Sequence, residues 1–164
     1  MRKQIIEGPA EAARPQVPGL DIAALAVVQV TSEDPAHPID LAFDGQCGPG
    51  ATRWIAARPG DQQVIVVFDQ PQAIARIDVE IEEPTVTRTQ ELELALSEDG
   101  GQTYRQIVRQ EFNFSPPGTV FERETWTVTF PAVTHVRLSI KPDKGGKPTR
   151  ASLSALVMHR PSGA

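Results

Sequence analysis

The sequence of 164 residues lacks the features of several familiar classes of protein. Its single cysteine, Cys47, excludes a disulfide within the chain. The net charge of −5 argues against the basic surface that sequence-independent binding of nucleic acid requires. No segment approaches the ~18 consecutive apolar residues of a membrane span, so we expect no membrane partner. Aromatic residues make up only 5% of the chain, which leaves few rings for stacking on a ligand.

The first residues do not have the pattern of a secretory leader. The start, MRKQ, is basic, but Glu7 and Glu11 follow and no apolar segment does. The sequence therefore predicts a cytoplasmic location. Pro9, Pro15 and Pro18 predict an irregular lead-in over residues 1–20, followed by one domain over 21–160 and a short tail over 161–164.

Short apolar and alternating segments make up most of the remaining sequence. We predict strands at Ala23–Thr31, Gln63–Asp69 and Ile74–Glu82, and a helical turn just before Gly45. Further strand-like segments are ELELALS, TYRQIVRQEFNF, ETWTVTF, HVRLSI and SLSALVMH. No segment keeps a 3.6-residue period. About eight strands separated by proline and glycine predict an all-β, antiparallel jelly-roll β-sandwich with at most one or two short helical turns.

The acidic residues of the alternating segments predict a solvent-facing row. Asp78, Glu80 and Glu82 alternate with Ile77, Val79 and Ile81. Since successive side chains of a strand point to opposite faces, the isoleucines and the valine should face the core. The three carboxylates should then face water.

The segment SEDGGQTY, residues 97–104, has the Ser-x-Asp-x-Gly-x-Thr-(Trp/Tyr) pattern found in sialidase propellers. It occurs once, whereas a propeller repeats its blades and needs a longer chain. Gly100 and Gly101 suit a tight hairpin, and Asp99 can accept hydrogen bonds from loop amides. We therefore interpret the segment as a hairpin loop whose role is structural.

The order of several motifs resembles a known family. They are LAFDGQCGPGATRWIAARPGDQQVIVVFDQP, SEDGGQTY and RASLSALVMH. From Leu41 to about Met158 the chain resembles the discoidin domain, also called the coagulation factor five/eight type C domain, of the galactose-binding-like superfamily. The resemblance implies an eight-stranded jelly roll that binds ligands through loops at one end and performs no catalysis.

The same resemblance implies where calcium would bind. Family members often hold the ion with the Asp of an Asp-Gly pair, a Thr, nearby carbonyls and a Glu of the last strand. The corresponding residues here are Asp44 and Thr52, but the spacing between them is lengthened by the segment QCGPG. Ala155 stands where the Glu is expected. We expect a vacant or weak calcium site, because calcium takes six to eight oxygen ligands.

Sugar recognition needs exposed rings with polar neighbours, and one loop offers them. In NFSPPGTVFERE, Phe114 and Phe121 flank two prolines, with Asn113 and Arg123 beside them. The rings would stack on a sugar face while the polar side chains bond hydroxyls. The alternative is that both rings cap the core of the sandwich.

A second loop carries Arg53 and Arg58 around Trp54, where they could bind a carboxylate or sugar hydroxyls. Ion pairs with Asp44 or Asp61 are the alternative role for these arginines.

Two functions from different classes remain. The first is a non-catalytic module that binds a small carbohydrate; the second is a protein-interaction or assembly module. An exposed concave site with polar residues would favour sugar, and a flat apolar patch would favour a protein partner. The three histidines are far apart and lack metal-ligand spacing, so we predict no enzyme.

Overall fold

The computed structural model of the protein describes Arg2 and residues 19–162. The predicted lead-in therefore lies almost entirely outside the described residues. Strands make up 54% of the structure and helices 6%, which confirms the all-β prediction. No helix of the described part has both the length and the apolar character that crossing a membrane requires.

The described chain forms eight strands, one short α-helix and one 3-10 helix. In chain order they are α1 (Ile22–Leu25), β1 (Ala26–Val30), the 3-10 helix (Ile39–Ala42), β2 (Trp54–Ile55), β3 (Gln62–Glu82), β4 (Arg88–Ser97), β5 (Arg105–Phe114), β6 (Phe121–Lys141), β7 (Ser152–Leu153) and β8 (Ala155–His159). The 3-10 helix is the helical turn predicted before Gly45. The predicted first strand is only partly right, because its first residues form α1, capped by the carboxylate of Asp21.

Two long strands connect the two faces of the sandwich. All strand pairs are antiparallel. The first half of β3 and the second half of β6 lie in a five-stranded sheet of order β1–β3–β6–β4–β5. Their other halves pair with each other and, through β3, with β8. Strands β2 and β7 form a separate two-stranded ribbon.

The sequence predicted each long strand as two shorter ones, because a proline interrupts it. Pro71 lies in β3 and Pro131 in β6. Around them the pairing of β3 with β6 shifts register, between Val67 and Arg76 on β3. Proline has no amide hydrogen to donate and is tolerated where a ladder is irregular. The strands thus pass from one sheet to the other without ending.

The core is built from the residues whose alternation predicted it. Ile77, Val79 and Ile81 are fully buried, as are the alternating leucines of β4. The solvent-facing row, however, is wrong for two carboxylates: Asp78 is 4% exposed and Glu80 is 3% exposed. They point away from the core but are covered, Asp78 by basic and hydroxyl side chains and Glu80 by the loop of Gly48.

Candidate functional site

Loops from three parts of the chain enclose a cavity of about 460 Å³ at one end of the sandwich, which we call the loop-end cavity. They are the segment around β2, the turn between β3 and β4, and the connection between β6 and β7. The lining residues are Arg53, Ile55, Ala57, Pro59, Glu82, Glu83, Thr85, Val86, Arg88, Pro148, Thr149, Arg150 and Ser152. The wall is therefore rich in hydroxyl, carboxylate and guanidinium groups.

Trp54 fixes the position of Arg53 at this cavity. The indole is fully buried and its Nε1 donates to the carbonyl of Ser32 at 3.0 Å. The backbone of Trp54 pairs with Leu153 of β7, which is also fully buried. Arg53 directly precedes this anchored strand, is half-buried and lines the cavity.

A buried ion pair forms the floor. Arg88 Nε lies 2.9 Å from Glu83 Oε1, and the Arg88 side chain is 2% exposed. Its other nitrogens donate to the carbonyls of Pro142 and Arg150 and to the hydroxyl of Ser152. Burial lowers the pKa of Arg88, and the neighbouring Glu83 opposes that shift. This buried charge pair and its hydrogen bonds join the turn between β3 and β4 to the connection between β6 and β7.

The other two arginines of the wall differ in their partners. Arg150 Nη1 lies 3.0 Å from Asp34 Oδ2 and so is already paired. Arg53 makes no side-chain hydrogen bond or ion pair within the described residues, although it lies close enough to Arg88 for its charge to act on that group. The neighbour Arg58 is exposed and does not line the cavity.

A second cavity, of about 490 Å³, lies on the outer face of the five-stranded sheet, and we call it the sheet-face cavity. Its lining includes Gln63, Ser139, Glu91 and Glu93. The two carboxylates already face cations: Glu93 lies 2.8 Å from Arg109, and Glu91 lies 3.4 Å from Lys144. Pairing of this kind is typical of a solvated sheet face. The loop-end cavity is therefore the better candidate.

The predicted platform of two phenylalanines does not form. Phe114 is 2% exposed and belongs to the hydrophobic core, so the prediction that it stacks on a ligand is wrong. Phe121 is half-buried and lies opposite Glu82 on the face that points away from the core. The β5–β6 loop separates the two rings, because Phe114 ends β5 on the inner face of the five-stranded sheet and Phe121 begins the half of β6 that belongs to the other sheet, on its outer face.

The polar residues predicted beside these rings also lie outside the cavity wall. Asn113 is exposed and accepts a hydrogen bond of 2.7 Å from Thr89. Arg123 is exposed and its Nη2 lies 3.9 Å from Asp78 Oδ2. Of the six residues predicted to bind a ligand, Arg53 lines the loop-end cavity, and the other five line neither the loop-end cavity nor the sheet-face cavity.

The residues predicted to hold calcium contact each other. The hydroxyl of Thr52 donates to a carboxylate oxygen of Asp44, and the amide of Gln46 donates to the other at 3.0 Å. The described residues contain no group of three or more His, Cys, Asp or Glu side chains that could hold a metal. The carboxylate of Asp44 and the hydroxyl of Thr52 supply only part of the six to eight oxygen ligands that calcium takes, and backbone carbonyls or water would have to supply the rest.

Two carboxylates of strand β3, those of Glu80 and Glu82, accept hydrogen bonds from amides of the loop between Asp44 and Thr52. Ala155 pairs with Glu80 across the ladder, so the last strand has no acidic side chain there. Glu80 instead accepts a hydrogen bond of 3.0 Å from the amide of Gly48. Glu82 accepts from the amide of Gly50 with both oxygens, at 3.2 and 3.1 Å. We call these contacts the carboxylate latch.

Comparison with known proteins adds to this geometry. No family model and no curated protein matches the sequence. Solved structures do match. One is the module CpGH89CBM32-5 from Clostridium perfringens in complex with GalNAc-β-1,3-galactose, with 22% identity, a TM-score of 0.57, and 86% of this chain and 99% of that chain covered. A pectin-binding carbohydrate-binding module matches with 17% identity, a TM-score of 0.58 and 85% and 93% coverage. The lectin domain of lectinolysin, complexed with Lewis B antigen, matches with 15% identity, a TM-score of 0.59 and 89% and 100% coverage.

These likenesses show the fold of the chain, an antiparallel β-sandwich like those of the matched modules. The jelly-roll prediction is thereby confirmed. Sequence reasoning missed Arg88, Glu83 and Thr149 of the cavity wall. Arg88 and Glu83 flank a turn between two predicted strands, so opposite charges at the ends of a turn were an available signal. Thr149 had no local signal, because it reaches the cavity only through the long connection after β6.

Proposed function

We propose that the protein is a non-catalytic carbohydrate-binding module that binds its ligand in the loop-end cavity. The observation that carries the proposal is the cavity itself, a concave space of about 460 Å³ with a polar wall at one end of a galactose-binding-like sandwich. Structural neighbours with this fold were solved with GalNAc-β-1,3-galactose and Lewis B antigen. The resemblance to the discoidin family is part of the same proposal.

The polar wall offers what a sugar needs. The guanidinium group of Arg53 can donate to several hydroxyls at once, and Thr85 adds a hydroxyl group. Because the cavity is open, we expect affinity in the roughly micromolar to millimolar range.

A protein-docking role has less support from the surface. Among the described residues, Val27 is the only large hydrophobic side chain that is well exposed, at 60%. An extended apolar patch, the feature typical of many protein interfaces, is therefore not present in the described part of the chain.

A glycan array with two matched variants tests the proposal. Ala57→Trp places an indole in the loop-end cavity, and Ser139→Trp places one in the sheet-face cavity. We expect the wild type and Ser139→Trp to bind the same glycans and Ala57→Trp to bind none. Loss of binding in Ser139→Trp alone would move the site to the sheet face. A wild type that binds no glycan would contradict the proposed function.

A further inference from the structure

We infer that the loop-end cavity selects a sugar that bears a carboxylate, such as a uronic acid, and that Arg53 is the group that binds this carboxylate. The inference rests on the proposed function and names the ligand class of the same site. Its basis is that the other charged groups of the cavity wall have hydrogen-bond or ion-pair partners within the protein, whereas Arg53 has none among the described residues.

Both carboxylates of the wall are satisfied by the protein itself. Glu83 pairs with Arg88, and its second oxygen accepts from the amides of Thr85 and Val86, at 3.1 and 3.3 Å. Glu82 accepts from the amide of Gly50 with both oxygens. Glu83 is thus neutralised by Arg88, and both oxygens of Glu82 are held at the amide of Gly50, so neither carboxylate pairs with Arg53 within the described residues.

The guanidinium of Arg53 is the wall's unsatisfied cation. Arg88 and Arg150 are paired with Glu83 and Asp34, whereas Arg53 has no such partner within the described residues. It is half-buried, and its positive charge acts on the neighbouring Arg88. The donors of Arg53 without a partner favour an anionic ligand. The planar donors of arginine match a carboxylate in two parallel hydrogen bonds.

Titration calorimetry with acidic sugars and their neutral derivatives tests the inference. The probes are trigalacturonate, trimannuronate and sialyllactose, each beside its methyl ester, which has the same ring but no charge. We expect at least one acid to bind and its ester to bind about tenfold or more weakly, the usual loss for a hydrogen bond to a charged group. Raising the salt concentration should weaken binding of the acid, because ions screen the attraction.

Two substitutions at Arg53 and one matched control complete the design. Arg53→Gln should lose about tenfold or more in affinity for the acid, and Arg53→Lys should lose less, since it keeps the charge but not the paired geometry. Arg58→Gln, on the same loop but outside the wall, should bind like the wild type. Circular dichroism establishes that each variant is folded, and Arg53→Lys serves if Arg53→Gln is not.

The outcomes separate this inference from the proposed function. If neutral glycans bind in a manner abolished by Ala57→Trp, and the acids bind no better than their esters, the cavity is a sugar site but the carboxylate inference is wrong. If Arg53→Gln and Arg58→Gln weaken binding of the acid equally, the attraction is general and Arg53 is not the specific ligand. If no sugar of either kind binds, both proposals fail.

Discussion

Asp99 shows how a single carboxylate can organise a hairpin loop without any chemistry. Its Oδ1 accepts from the hydroxyl of Ser97 at 2.7 Å and from the amide of Thr103 at 2.9 Å. Ser97 in turn accepts from the amide of Gly101 at 2.9 Å. Gly100 and Gly101 have φ of 77° and 85°, values that glycine adopts at little cost. The predicted hairpin loop is confirmed, because the segment joins β4 to its antiparallel partner β5 and its bonds link residues close in sequence.

We expect this network to make stability depend on acid. Hydrogen bonds from Thr103 and Ser97 lower the pKa of Asp99 from 3.8 to about 2. A carboxylate with a lowered pKa in the folded state stabilises the protein fully above its unfolded pKa, and the stabilisation is lost as the pH falls towards 2. Asp99→Asn should therefore unfold more easily than the wild type at pH 6, and the difference should shrink between pH 4 and 2.

Urea unfolding at a series of pH values measures this effect. The control is Asp69→Asn, at an exposed strand position with no side-chain hydrogen bond among the described residues. It should follow the wild type throughout. A constant difference between Asp99→Asn and the wild type down to pH 2 would contradict the role assigned to the carboxylate.

The sequence predicts some features of the candidate site but not how residues distant in the chain come together. Arg53 was predicted to bind a ligand, and the structure places it in the cavity wall. Phe114 was predicted beside Phe121, but two rings on either side of a loop can belong to different faces, and the sequence does not say which. Thr149 and Arg53 meet only because connections far apart in sequence converge at one end of the sandwich.

At the scale of an element, the loop from Asp44 to Thr52 is attached to the sheet by the carboxylate latch. Cys47 lies in this loop. The residue is exposed, but partial shielding of its thiol from water and then the neighbouring Glu80 raise the pKa of the thiol to about 11. A thiol with such a pKa is almost entirely protonated at neutral pH and reacts slowly. The latch therefore explains both the position of the loop and the expected inertness of its cysteine.

We propose that the latch replaces calcium in this protein, and chelation tests it. Because a metal bound only to the folded state would stabilise it by mass action, EDTA and excess calcium should both leave the melting temperature unchanged. Glu80→Gln removes a charge next to the thiol, and Cys47 should then react faster with a neutral disulfide reagent at pH 8. Glu91→Gln, on the other sheet, is the control and should not change that rate. A fall in melting temperature on adding EDTA would show that a metal is bound.

The elements themselves were largely predictable, but their continuity was not. Alternation identified the inner faces of β3 and β4 correctly, since the period of a strand is visible in ten residues. Pro71 and Pro131 suggested strand ends, whereas the chain continues through them with shifted register. Proline lacks the amide hydrogen that regular strand pairing uses. An irregular stretch of strand pairing tolerates this as well as a loop does, so a proline alone does not mark the end of a strand.

At the scale of the whole molecule, the two long strands make the sandwich one unit. β3 and β6 each contribute one half to the five-stranded sheet and the other half to the sheet that contains β8. If either sheet lost its strands, the inner side chains of the remaining sheet would be exposed to water. Examples are Val66 on the first half of β3 and Val79 on its second half, both of which are fully buried. Loss of one sheet therefore removes the packing surface of its partner.

We therefore expect unfolding in a single cooperative step, and the two tryptophans can test this. Trp54 is fully buried in the β2–β7 ribbon, while Trp126 lies in the half of β6 that pairs with the second half of β3. In Trp126→Phe the fluorescence reports only on Trp54, and in Trp54→Phe only on Trp126. Within each variant, the midpoint of urea unfolding by fluorescence should equal the midpoint by far-UV circular dichroism, the criterion of a two-state transition. Comparing probes within one variant keeps the result independent of any stability that the substitution itself removes. A fluorescence midpoint below the circular dichroism midpoint in Trp126→Phe would show that the ribbon next to Arg53 opens before the sheets. Midpoints that differ in Trp54→Phe would show that the two sheets unfold independently.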